Sequence, residues 1–102
     1  MTIKYNKLIR DRIPEIIKQK GGSPVTHIAG DEEYWSKLKE KLQEEVNEFS
    51  QNSVAEELAD ILEVVDAICD YLKIDKIELD NTKKKKAAER GGFKDKIILE
   101  ES

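Results

Sequence analysis

The sequence predicts a single all-α domain spanning residues 1–102, a helical bundle with a small two-stranded β appendage. Two observations predict this fold. Apolar residues recur at intervals of three and four along two long segments, and a short break at Asn52-Ser53 separates these segments. The length of 102 residues suits one domain. We therefore expect two long antiparallel helices, joined by a tight turn, at the centre of the bundle.

The amino-terminal part predicts one helix and one brief strand. Apolar residues at helix-like spacing lie within Lys4–Lys20, with Asp11 as the expected N-cap and Pro14 in the first turn, where a missing N–H costs little. The glycine pair at 21–22 is expected to end this helix. The short, partly alternating segment Pro24–Ala29 then predicts a brief strand.

The two central helices are predicted from their apolar stripes. The first opens after Gly30 with acidic residues, which the helix dipole favours, and runs to about Gln51. The second is expected to start at Ser53, which forms a capping box with Glu56. The stripes consist of Trp35, Leu38, Leu42, Val46 and Phe49 in the first helix, and of Val54, Leu58, Ile61, Leu62, Val65, Ile68, Cys69 and Leu72 in the second.

The carboxy-terminal part predicts a polar helix followed by a strand. The helix runs from about Asp75 to Arg90, carries four consecutive lysines at 83–86, and should stop at the glycine pair 91–92. The segment Phe93–Glu100 is expected to pair with Val25–Ala29, which would complete the β appendage.

Composition excludes several classes of function. Net charge is −4, so no general attraction to nucleic acid follows, and no segment approaches the length of a membrane span. The single cysteine, Cys69, excludes an intramolecular disulfide and a cysteine-based zinc site, and it is expected to be a buried small hydrophobe. The amino end is basic and polar without a long apolar stretch, so we expect no signal peptide and a cytoplasmic location.

Four acidic residues occupy matched positions on the two central helices. At 100° per residue, Glu45 and Glu48 lie about 60° and 120° to one side of the apolar stripe of the first helix. Glu57 and Asp60 have the same angular offsets on the second helix. A single ExxE pair is usually only a solvated helix face, but matched pairs on adjacent helices predict four carboxylates converging at the edge of the core.

Such a convergence has a direct chemical meaning. Clustered carboxylates repel one another and raise each other's pKa unless a cation neutralises them. Oxygen ligands suit Mg²⁺ or Mn²⁺, and Mg²⁺ commonly takes substrate phosphate as a further ligand, which indicates a nucleotide. A di-iron bundle would need Glu-x-x-His pairs, and the single histidine, His27, lies outside these helices.

Four segments of the chain resemble a known group. The segment Lys41–Glu48 is similar to the K-x-x-E-E-x-x-E motif of the all-α NTP pyrophosphatase superfamily, and Glu56–Asp60 is similar to its E-E-L-x-D half. That superfamily includes MazG-like enzymes and phosphoribosyl-ATP pyrophosphohydrolases. The flanking segments Tyr5–Pro14 and Glu89–Phe93 resemble a branch of short, stand-alone, house-cleaning MazG-like proteins.

The resemblance implies a MazG-like helical bundle that hydrolyses nucleoside triphosphates between the α- and β-phosphates, giving a nucleoside monophosphate and pyrophosphate. Glu44 is then expected to assist catalysis. Only eight residues separate Glu48 from Glu57, where the superfamily usually has a longer connection that helps to shape the nucleotide pocket. The resemblance implies the following Mg²⁺ ligands: Glu45, Glu48, Glu57 and Asp60.

Basic residues supply candidate phosphate contacts. The motif favours a phosphate contact, and hence a catalytic role, for Lys41, although an ion pair within the helix is the simpler interpretation. Lys86 and Arg90 are one turn apart before the second glycine pair and are candidate substrate-binding residues. Lys7 and Arg10 could either grip phosphate or form ion pairs at the start of the first helix.

Two other functions remain open from the sequence alone. One is phosphoribosyl-ATP hydrolysis, which would use the same fold and metal site. The other is a non-catalytic helical oligomerisation module. In every case we expect a homodimer or homotetramer, because a hairpin and one polar helix leave apolar surface uncovered. We expect no nucleic acid or membrane partner. The residues expected to be shared between core and interface are Trp35, Leu38, Phe49, Val65 and Ile68.

Overall fold

The computed structural model describes residues 3–102, and the secondary structure in that range is entirely helical. α2 and α3 are joined by a three-residue connection and pack against each other as an antiparallel hairpin. The predicted all-α class and the central hairpin are therefore confirmed. The helices are α1 (Ile13–Gln19), α2 (Asp31–Gln51), α3 (Ala55–Leu72) and α4 (Lys76–Arg90).

Aromatic and aliphatic side chains hold the hairpin together at its open end. The rings of Trp35 and Tyr71 are stacked in parallel with centroids 5.1 Å apart, and Tyr34 meets Tyr71 edge-on at 5.7 Å. Leu38 is completely buried one turn further along α2, and Cys69 is buried on α3 as the sequence predicted. These contacts fix the register in which the second half of α2 lies opposite the first half of α3.

The packed faces of α2 and α3 are rotated away from the centres of their apolar stripes. Glu45 is only 6% exposed and Val64 is buried, whereas Leu58 and Leu62 are 46% and 63% exposed. On a helical wheel this is a turn of about 60° toward the acidic side in both helices. The acidic residues thus lie in the seam between the helices, and one edge of each apolar stripe faces outward.

The N-caps of α4 and α3 differ in their local chemistry. Asp75, the residue near which this helix was predicted to start, is the N-cap of α4, since its carboxylate accepts hydrogen bonds from the backbone N–H groups of residues 77 and 78. The predicted capping box at Ser53 is wrong. The Ser53 hydroxyl donates instead to the carbonyl of Phe49 at 2.9 Å, and Val54 is the N-cap of α3 without a side-chain cap. The hydroxyl is turned back toward the last turn of α2, so it cannot reach the first turn of α3.

The first helix is shorter than the apolar spacing suggested. α1 begins at Ile13 with Arg12, rather than Asp11, at its N-cap, and Pro14 lies in its first turn as predicted. It ends at the predicted glycine pair, where Gly21 has a φ of +87°. Residues 3–10 have no regular structure and are held by side-chain contacts to α2 and α3.

The described residues do not form the predicted β appendage. Neither segment 24–30 nor segment 93–100 is a strand, and Val25, Ile28 and Phe93 are almost fully exposed. A two-stranded ribbon is marginally stable by itself and needs a surface to pack on. Because the large apolar side chains of neither segment are buried on the hairpin, a ribbon would have no surface to stabilise it.

The chain does not close around its hairpin. Its radius of gyration is 17.9 Å, against about 13 Å for a compact domain of this length. Every residue of α4 is exposed, so this helix does not cover the outward apolar edge of the hairpin. None of the helices in the described range has the length and apolar character needed to cross a membrane.

A candidate metal centre between α2 and α3

Three of the four predicted acidic residues meet in the seam of the hairpin. Carboxylate oxygens of Glu45, Glu57 and Asp60 lie within 4.8 Å of one another. Glu45 comes from the second half of α2, and the other two come from the first half of α3, three residues apart on one face. The antiparallel register therefore brings Glu45 to two acids that follow it by 12 and 15 residues in the sequence. The three carboxylates form one site of the size of a single cation.

Burial makes this cluster more than a solvated acidic face. The side chain of Glu45 is more than nine-tenths buried, and its Oε2 atom has no hydrogen-bond partner among residues 3–102. Oε2 of Glu57 is likewise buried without a partner. A buried carboxylate oxygen without a partner costs free energy. A hard divalent cation such as Mg²⁺ or Mn²⁺ would satisfy both oxygens, so the donor set fits the predicted metal.

Glu48, the fourth predicted ligand, lies at the rim of the cluster. Its side chain is exposed, yet its pKa is raised, chiefly by the negative charge of Glu45 one turn earlier. Burial adds to this rise, and the charges of Glu44 and Glu57 contribute further. Three of the four predicted ligands thus form the cluster, and Glu48 interacts with them electrostatically from outside it.

The coupling can be measured directly. We expect Glu45→Gln to lower the pKa of Glu48 toward its ordinary value, because the substitution removes the charge that raises it most. NMR titration of the glutamate side-chain carboxyl carbons in the metal-free protein measures this change. Glu63→Gln is the matched control, because Glu63 is exposed on the far side of α3 and should leave the titration unchanged. An unaltered Glu48 pKa in Glu45→Gln would show that the two carboxyls are independent.

Lys41 contacts both Glu45 of the cluster and the neighbouring Glu44 on α2. Its ammonium group lies 3.2 Å from Oε1 of Glu45 and 3.5 Å from Oε2 of Glu44. Lys7 donates a 2.8 Å hydrogen bond to the other oxygen of Glu44, which lowers the pKa of Glu44 and raises that of Lys7. The structure therefore shows the ion pair predicted for Lys41, and its phosphate contact stays a prediction.

The amino-terminal segment reaches both helices of the hairpin. Lys7 contacts α2 through Glu44, and Arg10 donates a 2.7 Å hydrogen bond to Asp60 on α3. The sequence placed these two cations near phosphate or at the start of α1. The structure brings Arg10 to Asp60 of the candidate metal centre and Lys7 to Glu44 next to it, pairings across 50 and 37 residues for which no local pattern gives a signal.

Lys86 and Arg90 are not brought to the centre within one chain. Both lie on α4, which is exposed throughout and packs extensively on neither α2 nor α3. The start of α4 is tied to α3 by Lys76, whose ammonium group lies 3.5 Å from Asp70. The prediction that Lys86 and Arg90 bind substrate is therefore not supported inside a single subunit, because α4 is too polar to fold back onto the hairpin.

The structure contains a cleft beside the cluster that the sequence does not predict. It has a volume of about 210 Å³ and lies between the amino-terminal segment and the middle of α2. No sequence motif marks it, because its two walls are more than 25 residues apart and meet only in the fold. Its lining residues include Tyr5, Leu8, Lys37, Glu40 and Lys41.

Comparison with known proteins gives little beyond this geometry. No family model matches the chain, and no solved structure matches it. The chain is 52% identical over 43 residues to a protein of Mycolicibacterium smegmatis that is described as uncharacterized. The match covers 42% of this chain and 44% of the relative, so the chain spans less than half the length of the curated protein it matches.

Proposed function

We propose that this chain is a Mg²⁺-dependent nucleoside triphosphate pyrophosphohydrolase that cleaves the α–β phosphate bond to give a nucleoside monophosphate and pyrophosphate. The observation that carries the proposal is the meeting of Glu45, Glu57 and Asp60 in the α2–α3 seam, with two buried carboxylate oxygens that have no partner. The motif resemblance supports the same chemistry. We further propose that it removes non-canonical nucleotides and acts in the cytoplasm, where nucleoside triphosphates are made and used.

The residues at the centre divide into ligands and phosphate contacts. Glu45, Glu57 and Asp60 would hold Mg²⁺, with Glu48 at the rim as a fourth ligand. Bound Mg²⁺ would withdraw charge from phosphate oxygens and so favour attack at phosphorus. Three cationic side chains already contact Glu44 or the carboxylates of the cluster and would then bind the remaining phosphate oxygens: Lys7, Arg10 and Lys41.

Glu44 is suited to orient the attacking water. Lys7 and Lys41 both contact its carboxylate, and the contact with Lys7 chiefly holds its pKa below the ordinary value. Glu44 therefore stays ionised and can accept a hydrogen bond from water beside the cluster. Two groups that could act as nucleophiles are engaged otherwise: Cys69 is buried in the hairpin, and His27 contacts Glu33 at 2.9 Å near the start of α2.

The test is a turnover screen with product identification. Purified protein is incubated with Mg²⁺ and a panel of common and damaged nucleoside triphosphates, together with phosphoribosyl-ATP. Phosphorus NMR then distinguishes monophosphate plus pyrophosphate from diphosphate plus phosphate, and chelation with EDTA is the control. We expect pyrophosphate release from at least one triphosphate. Turnover of phosphoribosyl-ATP alone would favour the biosynthetic alternative, and no turnover of any compound would favour a non-catalytic module.

Arg10 is expected to compete with metal for Asp60. We predict that Arg10→Gln strengthens Mg²⁺ binding about 1.4- to fivefold in the absence of nucleotide, because a partly exposed ion pair is worth about 0.2–1 kcal/mol. The same variant should weaken triphosphate binding, since it removes a phosphate contact. Isothermal titration calorimetry measures both. Arg12→Gln is the matched control for net charge, because Arg12 lies exposed at the N-cap of α1. Equal Mg²⁺ affinities in the two variants would contradict a specific role for Arg10.

We also propose that the working unit is a homodimer or homotetramer. The outward edge of the hairpin exposes large apolar side chains, and none of the helices within residues 3–102 covers it. A second copy could cover this edge and bring Lys86 and Arg90 of its α4 toward the neighbouring metal centre. The exposed residues are Val46, Val54, Leu58, Leu62 and Leu72.

A further inference from the structure

The cleft between the amino-terminal segment and α2 opens beside the candidate metal centre. Lys41 lines the cleft and also contacts Glu45, so the two sites share a wall. Lys37 lies two helical turns before Glu45, which is about 12 Å along the axis. That separation leaves room for a sugar between a phosphate held at the carboxylates and a group held in the cleft.

The size of the cleft limits what it can hold. Pockets that enclose a whole drug-sized ligand usually measure about 300–1,000 Å³. At about 210 Å³ this cleft suits one planar ring system, with the rest of the ligand outside it. The ring of Tyr5 lies at one wall and is 65% exposed, with the ammonium group of Lys7 over it at 5.6 Å from the ring centroid.

The charges of the cleft favour a base over a phosphate chain. Each lysine in the lining is paired with a carboxylate: Lys37 with Glu40 at 3.3 Å, and Lys7 and Lys41 with Glu44. The walls therefore alternate hydrogen-bond donors and acceptors and are not uniformly positive. A nucleobase edge, which also carries both donors and acceptors, matches such a surface, whereas a polyphosphate would meet the glutamate oxygens unfavourably.

We propose that this cleft is the nucleobase subsite, in which Tyr5 stacks on the base while Lys37 and Glu40 bind its polar edge. The proposal rests on the proposed function, since it assumes that the α-phosphate lies at the carboxylate cluster. It also gives the amino-terminal segment a role: this segment supplies the pocket wall that the short connection between Glu48 and Glu57 is too small to provide.

The test separates base binding from phosphate binding. Calorimetry with Mg²⁺ measures the affinity of the full chain for a panel of nucleoside monophosphates and for ribose 5-phosphate, which has the same phosphate without a base. We expect the preferred monophosphate to bind more tightly than ribose 5-phosphate. Tyr5→Ala should weaken monophosphate binding at least about fivefold, as loss of one base–aromatic stack implies, and leave ribose 5-phosphate unchanged.

Matched variants separate the ring and the charge. Tyr5→Phe retains the ring and should bind like the wild type. Lys37→Gln should change the preference among bases. Its control, Lys39→Gln, alters a lysine that lies 5.0 Å over the Trp35 ring and outside the cleft, and should not change that preference. Equal loss of monophosphate and ribose 5-phosphate binding in Tyr5→Ala would overturn the base assignment in favour of phosphate, and unchanged binding of both would overturn the subsite altogether.

These outcomes are distinct from failure of the proposed function. If the wild type releases pyrophosphate from a triphosphate but Tyr5→Ala has an unchanged KM, the base subsite is wrong and the hydrolytic function stands. If the wild type discriminates among monophosphates through Tyr5 but hydrolyses no triphosphate, the subsite stands and the hydrolytic function is wrong.

Discussion

Asp60→Asn is expected to reduce Mg²⁺-dependent turnover by at least about 100-fold, because loss of a metal ligand should cost at least as much as loss of a group that only supports one. Asparagine keeps the shape of the side chain but removes one of the three charges that meet in the seam. The fold should persist with little change in the free energy of unfolding, since relief of carboxylate repulsion offsets the lost pair with Arg10. Initial rates and thermal unfolding measure the two effects.

Metal-dependent stabilisation provides the second measurement for this variant. Mg²⁺ should raise the melting temperature of the wild type, because a ligand that binds only the folded state stabilises it. The rise should be absent or much smaller in Asp60→Asn. Glu63→Gln, one turn further along α3 and exposed, removes the same charge away from the cluster and should keep both the turnover and the Mg²⁺ effect. Wild-type activity in Asp60→Asn would refute the metal assignment.

Leu62→Glu is expected to convert the oligomer into a monomer. Leu62 is 63% exposed and lies on the outward apolar edge of the hairpin, so a second copy is expected to bury it. A carboxylate buried without a partner at an apolar interface costs several kcal/mol, which is enough to dissociate a micromolar complex. Light scattering at micromolar concentration should give a mass near 11.7 kDa for the variant and at least twice that for the wild type.

The exposed fractions of Leu62 and Ile77 provide two controls for this experiment. Circular dichroism should be unchanged in Leu62→Glu, because the side chain contributes little to the buried hairpin core. Ile77→Glu places the same charge at a more exposed apolar residue on α4, outside the proposed interface, and should keep the wild-type mass. A wild-type mass equal to that of one chain, with full activity, would show that the subunit works alone.

The sequence by itself determined the central elements and the composition of the candidate centre. Intervals of three and four apolar residues predicted α2 and α3, because helix periodicity is a local property of the chain. The same regularity predicted four converging acids, of which the structure brings together Glu45, Glu57 and Asp60 but not Glu48. Asp75 and the glycine pairs marked helix ends correctly, whereas the caps predicted at Asp11 and Ser53 are not formed.

Only the tertiary structure decided which part of each face is buried. An apolar stripe can turn either edge toward its partner, and the observed rotation put Glu45 in the seam and left Leu62 outside. Three further features depend on segments that are far apart in sequence, and periodicity carries no information about them. They are the contacts of Lys7 and Arg10, the cleft at Tyr5 and the isolation of α4. The predicted strands failed for the same reason: pairing needs a neighbouring surface, and the fold does not bring one to either segment.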